Sequence, residues 1–315
     1  MDRKKLLEKA FQRGNLLTVK NKLYKSWIDK FIIDEMKGDI GLKGDITSNN
    51  ILKNGKNIKA VIYSRSNGIL AGMEEVSLLL KEFKIRIKQL KKDGSKIKKG
   101  SKLILLEGNG KNILKLERAI LDVLSRMSGI ATLTNSLLKK IKNKVPIAST
   151  RKIEWRYLDK KAVYVGGGLT HRLALWESIL IKDNHLAALR REKVKDVVGT
   201  ALERAWKNKK KSIFIETETA NEKQAIRAAE KFRELKIKSN DMPCLVMLDN
   251  MNPKKIKRIV KKLKAKKLFN YVLIEASGGI NPINIKEYAK TGVDVLSLGY
   301  LTTSLHSLNI KLKVM

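Results

Sequence analysis

Three groups of residues in this 315-residue chain have the types and spacing to do chemistry. The first is basic: Arg118, Arg151, Lys152, His171, Arg172 and Lys182. Arginine meets a carboxylate or phosphate with paired donors and lysine adds a compact charge, so their convergence suits a substrate with several carboxylates or phosphates. The second is acidic: Glu218 and Asp249 close two successive apolar runs, IFIETET and LVMLDN. Carboxylates on adjacent strands hold Mg²⁺ through water or bond ribose hydroxyls. The third is a set of small residues, Ser277, Gly278 and Gly279 in EASGGINPIN and Gly299 in LSLGYLTTS. Backbone N–H groups freed at such strand-to-helix turns bind anions, and the last two strands of a βα barrel are the usual phosphate site. Cationic walls, a phosphate cradle and a carboxylate pair together describe a pocket for a phosphorylated sugar and an anionic co-substrate.

Such groups need a scaffold that brings many segment ends together, and the apolar runs supply one. PIAST, SILIKDNH, IFIETET, LVMLDN, VLIEASGG and VDVLSLG each close in polar or glycine residues, with tips near positions 150, 182, 217, 249, 276 and 299. Those intervals match one strand plus one crossover helix. Between them, Val194, Val197, Val198, Ala201, Leu202 and Ala205 share a helical face, as do Ala225, Ala228, Ala229 and Phe232, and again Ile256, Ile259, Val260 and Leu263. Asn252-Pro253 and Asn281-Pro282 mark two helix starts. Nearly continuous apolar strands fit a parallel sheet covered by helices, and in such a barrel the site forms at the carboxyl ends of the strands.

The first half reads differently. Residues up to about 45 are helical and polar, after which AVIYSRSNGILAG, FKIRIKQL and SKLILLEGNG read as strands, with a helix at EEVSLLLKEF. A long helix through ILKLERAILDVLSRMSGIATLTNSLLKKI leads into the barrel, and Gly129 is expected to break or kink it, because glycine in a helix costs ~1 kcal/mol relative to alanine. The expected organisation is an N-terminal α/β domain over 1–125, a barrel over 126–300, and a tail over 301–315 that returns to the first domain.

Composition narrows the function classes. The 68 Lys plus Arg against 31 Asp plus Glu give a formal net charge of +37, which raises nucleic acid as a partner. The lysines, however, spread over helix faces such as PKKIKRIVKKLKAKK without interleaved aromatics, so polyanion binding is read as incidental. The single cysteine, Cys244, excludes an intrachain disulfide framework and reads as a small core residue. Neither a signal-peptide core nor an apolar run near the ~20 residues of a membrane span is found, so a cytoplasmic protein with no membrane association is expected.

The motifs GDITS, SNGILAGMEEV, LERAILDVLSRMSGIATLT, STRK, KKAVYVGGGLTHR, SILIKDNHLA, IETET, VMLDN, EASGGI and TGVDVLSLGYLTTS occur in the order seen in one enzyme family. The chain resembles quinolinate phosphoribosyltransferase, also called nicotinate-nucleotide pyrophosphorylase (carboxylating), over nearly its whole length. The resemblance implies an α/β protein with an N-terminal α/β sandwich domain and a C-terminal incomplete (open) α/β barrel, paired as a homodimer with shared sites. It implies a pentosyltransferase of NAD biosynthesis that converts quinolinate and 5-phosphoribosyl 1-pyrophosphate to nicotinate mononucleotide, pyrophosphate and CO2, with Mg²⁺ as cofactor. By motif, Arg151, Lys152, His171, Arg172 and Lys182 line the quinolinate pocket and Arg118 enters from the partner subunit. Glu218 and Asp249 sit by ribose and metal, Ser277, Gly278, Gly279 and Gly299 hold phosphate, and Lys152, Lys182, Glu218 and Asp249 carry the catalytic roles.

One departure stands out. After TRK the family continues with two threonines, a proline and a glycine, whereas Ile153, Glu154, Trp155 and Arg156 follow Lys152 here, in a loop read as two residues shorter. Trp155 could stack on a pyridine ring or simply pack. The altered loop keeps open a non-carboxylating phosphoribosyltransferase or paralogue using another acceptor. A degenerate homologue that binds nucleic acid is the remaining alternative. His171 is expected to bind substrate, His185 to serve structure, and Asp183 and Asn184 to organise a loop.

Overall fold

The computed structural model describes residues 2–52, 56–237, 242–304 and 306–315, which fall into two compact units, each discontinuous in sequence. One comprises Met1–Arg13, Ser136–Ile153 and Gly168–Thr303; the other comprises Gly14–Asn135, Glu154–Gly167 and Ser304–Met315. The expected division at residue 125 gave continuous stretches instead.

The second unit contains α2 (Lys22–Ile40), α3 (Ile46–Ile51), β1 (Asn57–Ser64), β2 (Gly68–Ile69), α4 (Met73–Glu82), β3 (Arg86–Gln89), β4 (Lys96–Ile97), β5 (Lys102–Asn109), most of α5 (Gly110–Lys140), α6 (Arg156–Val165) and β12 (Ile310–Val314). Its main sheet has the antiparallel order β12-β1-β5-β3, so the C-terminal strand is an edge beside β1. The helix α5 runs unbroken through Gly129, contrary to the expected kink. Its buried face explains the continuity: the Ser128 hydroxyl bonds both the N–H and the C=O of Ala71, and Thr132 accepts from the Ile69 N–H, clamping the helix on either side of the glycine.

The first unit is an open barrel. Its six parallel strands, β6 (Ile147–Ser149), β7 (Ile179–Ile181), β8 (Ile215–Thr219), β9 (Cys244–Asp249), β10 (Leu273–Ser277) and β11 (Val295–Leu298), lie in the order β6-β11-β10-β9-β8-β7. The two end strands do not pair with each other, which leaves the curled sheet unclosed. All six expected runs are strands. The crossover helices α9 (Glu222–Lys236) and α10 (Pro253–Ala265) bury the faces read from the sequence, with Ala225, Ala228, Ala229 and Phe232 fully buried, whereas α8 (Val197–Lys207) starts after Val194 and buries only Val198 and Leu202 of its expected face. Asn252 caps α10 through the Lys255 N–H, with Pro253 in the first turn. Asn281 instead forms a turn, accepting from the N–H of Ile283 and Asn284, and the short α11 (Ile285–Tyr288) begins after it.

The first helix, α1 (Arg3–Phe11), belongs to the barrel unit and not to the domain expected for the N-terminal residues. Leu7, Ala10 and Phe11 join Ala148, Leu169, Phe214, Leu245, Leu273 and Val295 in one apolar cluster, so α1 plugs the amino ends of the strands. Among the described residues no helix is long and apolar enough to cross a membrane.

Candidate active site

Alternate residues of a strand face opposite sides of a sheet, so the barrel interior is built from every second position. Along β8 these are Glu216 and Glu218; β9 contributes Met247 and Asp249, β10 Glu275 and Ser277, and β11 Ser297 followed by Gly299. The strand registers place Ser277 opposite Asp249 and Ser297 opposite Ser277. Above these tips opens a cavity of about 680 Å³. Arg151, Lys152, His171, Arg172, Lys182, Glu218, Asp249, Ser277, Gly278, Gly279 and Gly299 all line it. Arg118 does not: it lies on α5 with its side chain 73% exposed and pairs with Asp122 at 3.5 Å. Asp183, Asn250, Glu275, Thr150 and Tyr300 also line the cavity and were not singled out as site residues from the sequence.

The glycines have identifiable reasons. Gly278 and Gly279 sit at φ +91° and +65°, in the left-handed region that disfavours side chains. A Cβ on Gly278 would lie 2.2 Å from Asn250 Oδ1, whereas one on Gly279 would meet nothing within 4 Å. The first glycine therefore allows the β10 turn to pack on the β9 turn, and the second leaves backbone open to the cavity. Gly299 has Lys152 passing over it, with Cδ 3.3 Å from where a Cβ would be. The Lys152 backbone is held by its N–H to Thr150 Oγ1 at 3.2 Å and by its carbonyl accepting from Thr302 Oγ1.

Charge is arranged in two zones. Burial and then the neighbouring Arg151 pull the Arg172 guanidinium down, while Glu216, Glu218 and Glu177 oppose that shift. Glu218 is pushed up, first by burial and also by Asp249 and Asp183, while Lys182 and the Asp183 N–H restrain it. Lys182 Nζ stands 3.7 Å from Glu218 Oε1, and the Asp183 N–H reaches Oε2 at 3.3 Å. Asn250 Nδ2 donates to Asp249 Oδ2 at 2.7 Å, fixing that carboxylate. Deeper, His171 Nε2 lies 2.7 Å from Glu216 Oε2, and Glu275 faces Glu216. Two adjacent buried carboxyls cannot both ionise readily; burial lifts Glu216 to about 7, and burial followed by the Glu216 charge lifts Glu275 well above the usual range.

His185 and Trp155 take the structural and packing roles that the sequence allowed, and Asp183 and Asn184 lie in a helix. His185 Nδ1 accepts from the Lys182 N–H at 2.9 Å, a structural role at the start of α7 (Asp183–Arg190), so Asp183 and Asn184 open a helix where a loop was expected. Trp155 is half-buried in the second unit, edge-on to Phe31 at 5.9 Å and near the Arg126 guanidinium at 5.2 Å. The shortened loop is held there by Asp159, whose Oδ2 accepts the N–H groups of Glu154 and Trp155 while Arg126 grips both its oxygens.

The same residues can be set against known proteins. The pattern of the quinolinate phosphoribosyl transferase C-terminal domain matches residues 130–313, and that of the N-terminal domain residues 45–128. A probable nicotinate-nucleotide pyrophosphorylase (carboxylating) of Methanothermobacter thermautotrophicus is 37% identical over 291 residues, covering 90% of this chain and 98% of the relative. Its counterpart in Methanocaldococcus jannaschii is 36% identical over 300 residues, covering 93% and 99%. Among solved structures, the nicotinate-nucleotide pyrophosphorylase from Francisella tularensis is similar with a TM-score of 0.78 at 28% identity, covering 92% of this chain and 96% of that one. The corresponding protein from Ehrlichia chaffeensis gives 0.76 at 33% identity, covering 91% and 98%. With both domain patterns matched and relatives aligned over nearly their full length, the chain that builds this cavity belongs to the quinolinate phosphoribosyl transferase family.

Proposed function

We propose that the protein transfers the phosphoribosyl group of 5-phosphoribosyl 1-pyrophosphate to quinolinate, releasing pyrophosphate and CO2 and leaving nicotinate mononucleotide. The observation that carries this is the division of one cavity into a cationic zone, a carboxylate pair and a glycine-lined turn. Arg151, Lys152, His171, Arg172 and Lys182 offer donors to the two carboxylates of quinolinate, holding its ring nitrogen towards the sugar. Ser277, Gly278, Gly279 and Gly299 offer a hydroxyl and open backbone to phosphate. Glu218 and Asp249 face the ribose.

In the first step the ring nitrogen forms a bond to C1 of the ribose as the bond from C1 to the pyrophosphate oxygen breaks. The sugar is cationic as this happens, and the Glu218 and Asp249 carboxylates stabilise that charge without reorganising. In the second step the ring carbon next to the alkylated nitrogen loses its carboxylate as CO2. The electron pair stays on that carbon, beside the positive nitrogen, and then takes a proton from water. Arg172, drawn largely out of water, is placed to hold the carboxylate that stays on the ring and so to orient the one that leaves.

The donor set fits Mg²⁺. Glu218 and Asp249 are carboxylates on adjacent strands with Asp183 nearby, and among the described residues no third His, Cys, Asp or Glu closes a compact ligand set around them. That suits an ion that keeps several waters. When bound there, Mg²⁺ neutralises the charge of the departing pyrophosphate.

The proposal includes a cytoplasmic homodimer in which Arg118 of each subunit enters the other's cavity. Its test is to incubate purified protein with 5-phosphoribosyl 1-pyrophosphate and Mg²⁺, offering quinolinate and nicotinate separately, and to follow mononucleotide and CO2. Mononucleotide with stoichiometric CO2 from quinolinate is expected. Turnover of nicotinate alone would move the protein to a non-carboxylating reaction, and turnover of neither would remove the proposal.

A further inference from the structure

Two glutamates stand inside the barrel almost wholly out of water. Glu216 is 0% exposed at the second position of β8, and Glu275 is 1% exposed at the third position of β10, with β9 between their strands. Buried carboxyl groups are costly unless they are bound to something. The ligand atoms of His171, Glu216 and Glu275 all lie within 4.8 Å of one another. One oxygen of each glutamate, Oε1 of Glu216 and Oε2 of Glu275, has no hydrogen-bond partner among the described residues.

His171 is held from several directions. Its Nε2 is 2.7 Å from Glu216 Oε2; the Phe11 ring lies 4.8 Å away, centroid to centroid, and the Phe214 ring 5.6 Å. Its backbone sits at φ +52°, a conformation that a residue with a side chain adopts at a cost and that persists when surroundings impose it. Yet His171 and Glu275 both line the cavity, while Glu216 does not. Glu216 is therefore placed to act on the ring from below and not on a ligand directly, and Glu275 stands between it and the cavity.

We propose that Glu216 and Glu275 are positioning residues for the reaction: Glu216 fixes the rotation and tautomer of the His171 ring through Nε2, and Glu275 holds Glu216 in place across β9. The bond made by one ring nitrogen decides which edge and which protonation pattern the other presents. Through it the barrel core sets how His171 meets the carboxylates of the acceptor. This rests on the proposed reaction for its kinetic consequence, but the ring geometry can be read without turnover.

Glu216→Leu removes the acceptor at similar volume, and Glu216→Gln keeps a carbonyl for Nε2–H. In Glu216→Leu the KM for quinolinate is expected to rise about 10-fold or more, the scale typical of losing a histidine's supporting partner, while the KM for 5-phosphoribosyl 1-pyrophosphate stays near that of the wild type. Glu216→Gln recovers most of that loss. In parallel, ¹⁵N NMR of histidine-labelled protein is expected to show the His171 ring in a single Nε2-protonated form in the wild type and in mixed forms in Glu216→Leu. If Glu216→Leu folds poorly, Glu275→Leu provides the same comparison one residue further from the ring. A role in stability alone would lower the yield or melting temperature and leave both KM values and the ring signals of the folded fraction unchanged, overturning the proposal. A tightly held divalent ion that purifies with the wild type and is lost in Glu275→Gln would overturn it too, since the cluster would then be a metal site. A wild type without turnover on quinolinate, but with the single ring form lost in Glu216→Leu, would sink the proposed reaction and leave the positioning role standing.

Discussion

Arg172 keeps its guanidinium almost entirely out of water with one hydrogen bond, from Nη1 to the Ser178 carbonyl, and among the described residues its Nε has no partner. A buried cation so sparsely bonded is set up to receive an anion. Arg172→Ala or Arg151→Ala is accordingly expected to abolish quinolinate turnover without unfolding the protein, with a loss of ~2 to 5 kcal/mol in kcat/KM, the range for removing one member of a buried hydrogen-bonded charge pair. Steady-state kinetics together with an unchanged thermal melt would check it; near-normal kinetics in either variant would take that arginine out of the site. At this scale much was legible in the sequence, because strand tips in a parallel barrel converge whatever the details of packing. Of the residues assigned there to substrate and metal, all but Arg118 line the cavity. Glu275 was missed although it left a signal: a carboxylate inside the apolar run VLIEAS must either end the strand or be paired in the core.

Between elements, the junction of α4 with the β3–β4 turn shows how a borrowed cap makes stability depend on pH. The N-cap of α4 is Gly72, which has no side chain to offer, and Asp93 supplies the acceptor, its Oδ1 taking the Met73 N–H at 2.9 Å. Burial, then the neighbouring Glu75, raises Asp93 to about 6, above its ordinary 3.8. The folded state thus binds this proton more tightly than the unfolded chain, so the contribution to stability is present at low pH and is lost as pH rises towards about 6. Asp93→Asn keeps the acceptor and cannot ionise. Its melting temperature is expected to match the wild type at pH 4 and to exceed it at pH 7; a constant difference across that range would rule the mechanism out. The helix α1 is a second case. Phe11 is fully buried against His171 and Phe214, and Phe11→Ala is expected to cost ~3 to 5 kcal/mol, read as a lower urea midpoint. The sequence marked α1 as helical but not its place, because an amphipathic turn such as LLEKAF names a buried face without naming the surface that covers it. Gly129 failed for a related reason: helix propensity is a local quantity, and the clamp at Ser128 and Thr132 is not.

For the whole molecule, Arg118 gives the sharpest expectation. It is exposed on α5 and belongs to a different unit from the cavity-lining residues. Under the proposed homodimer, Arg118→Ala and Lys182→Ala are each inactive, and exchange of subunits between them restores activity. Each mixed dimer then has one cavity free of both changes. Random pairing gives about a quarter of wild-type activity, on the basis of two-fold symmetric assembly. Verified exchange without recovery would refute a shared site, as would a monomer that turns over quinolinate. The net charge of +37 belongs to this scale as well. The outer face of α10 carries lysines and one arginine around a buried stripe of Ile256, Ile259, Val260 and Leu263, so the charge lies on a solvated helix face and the apolar side is spent on the core.

The plug formed by α1 also orders events in time. Synthesis delivers Phe11 long before Val295, yet both belong to one cluster. The cluster around α1 is therefore complete only when the last barrel strand arrives. Until then Leu7 and Phe11, and the amino ends of strands already made, present apolar surface without its final cover. Contacts of such long sequence separation slow folding and lengthen the exposure of sticky intermediates. A weakened α1 is accordingly expected to show itself as lost yield before it shows itself as lost turnover.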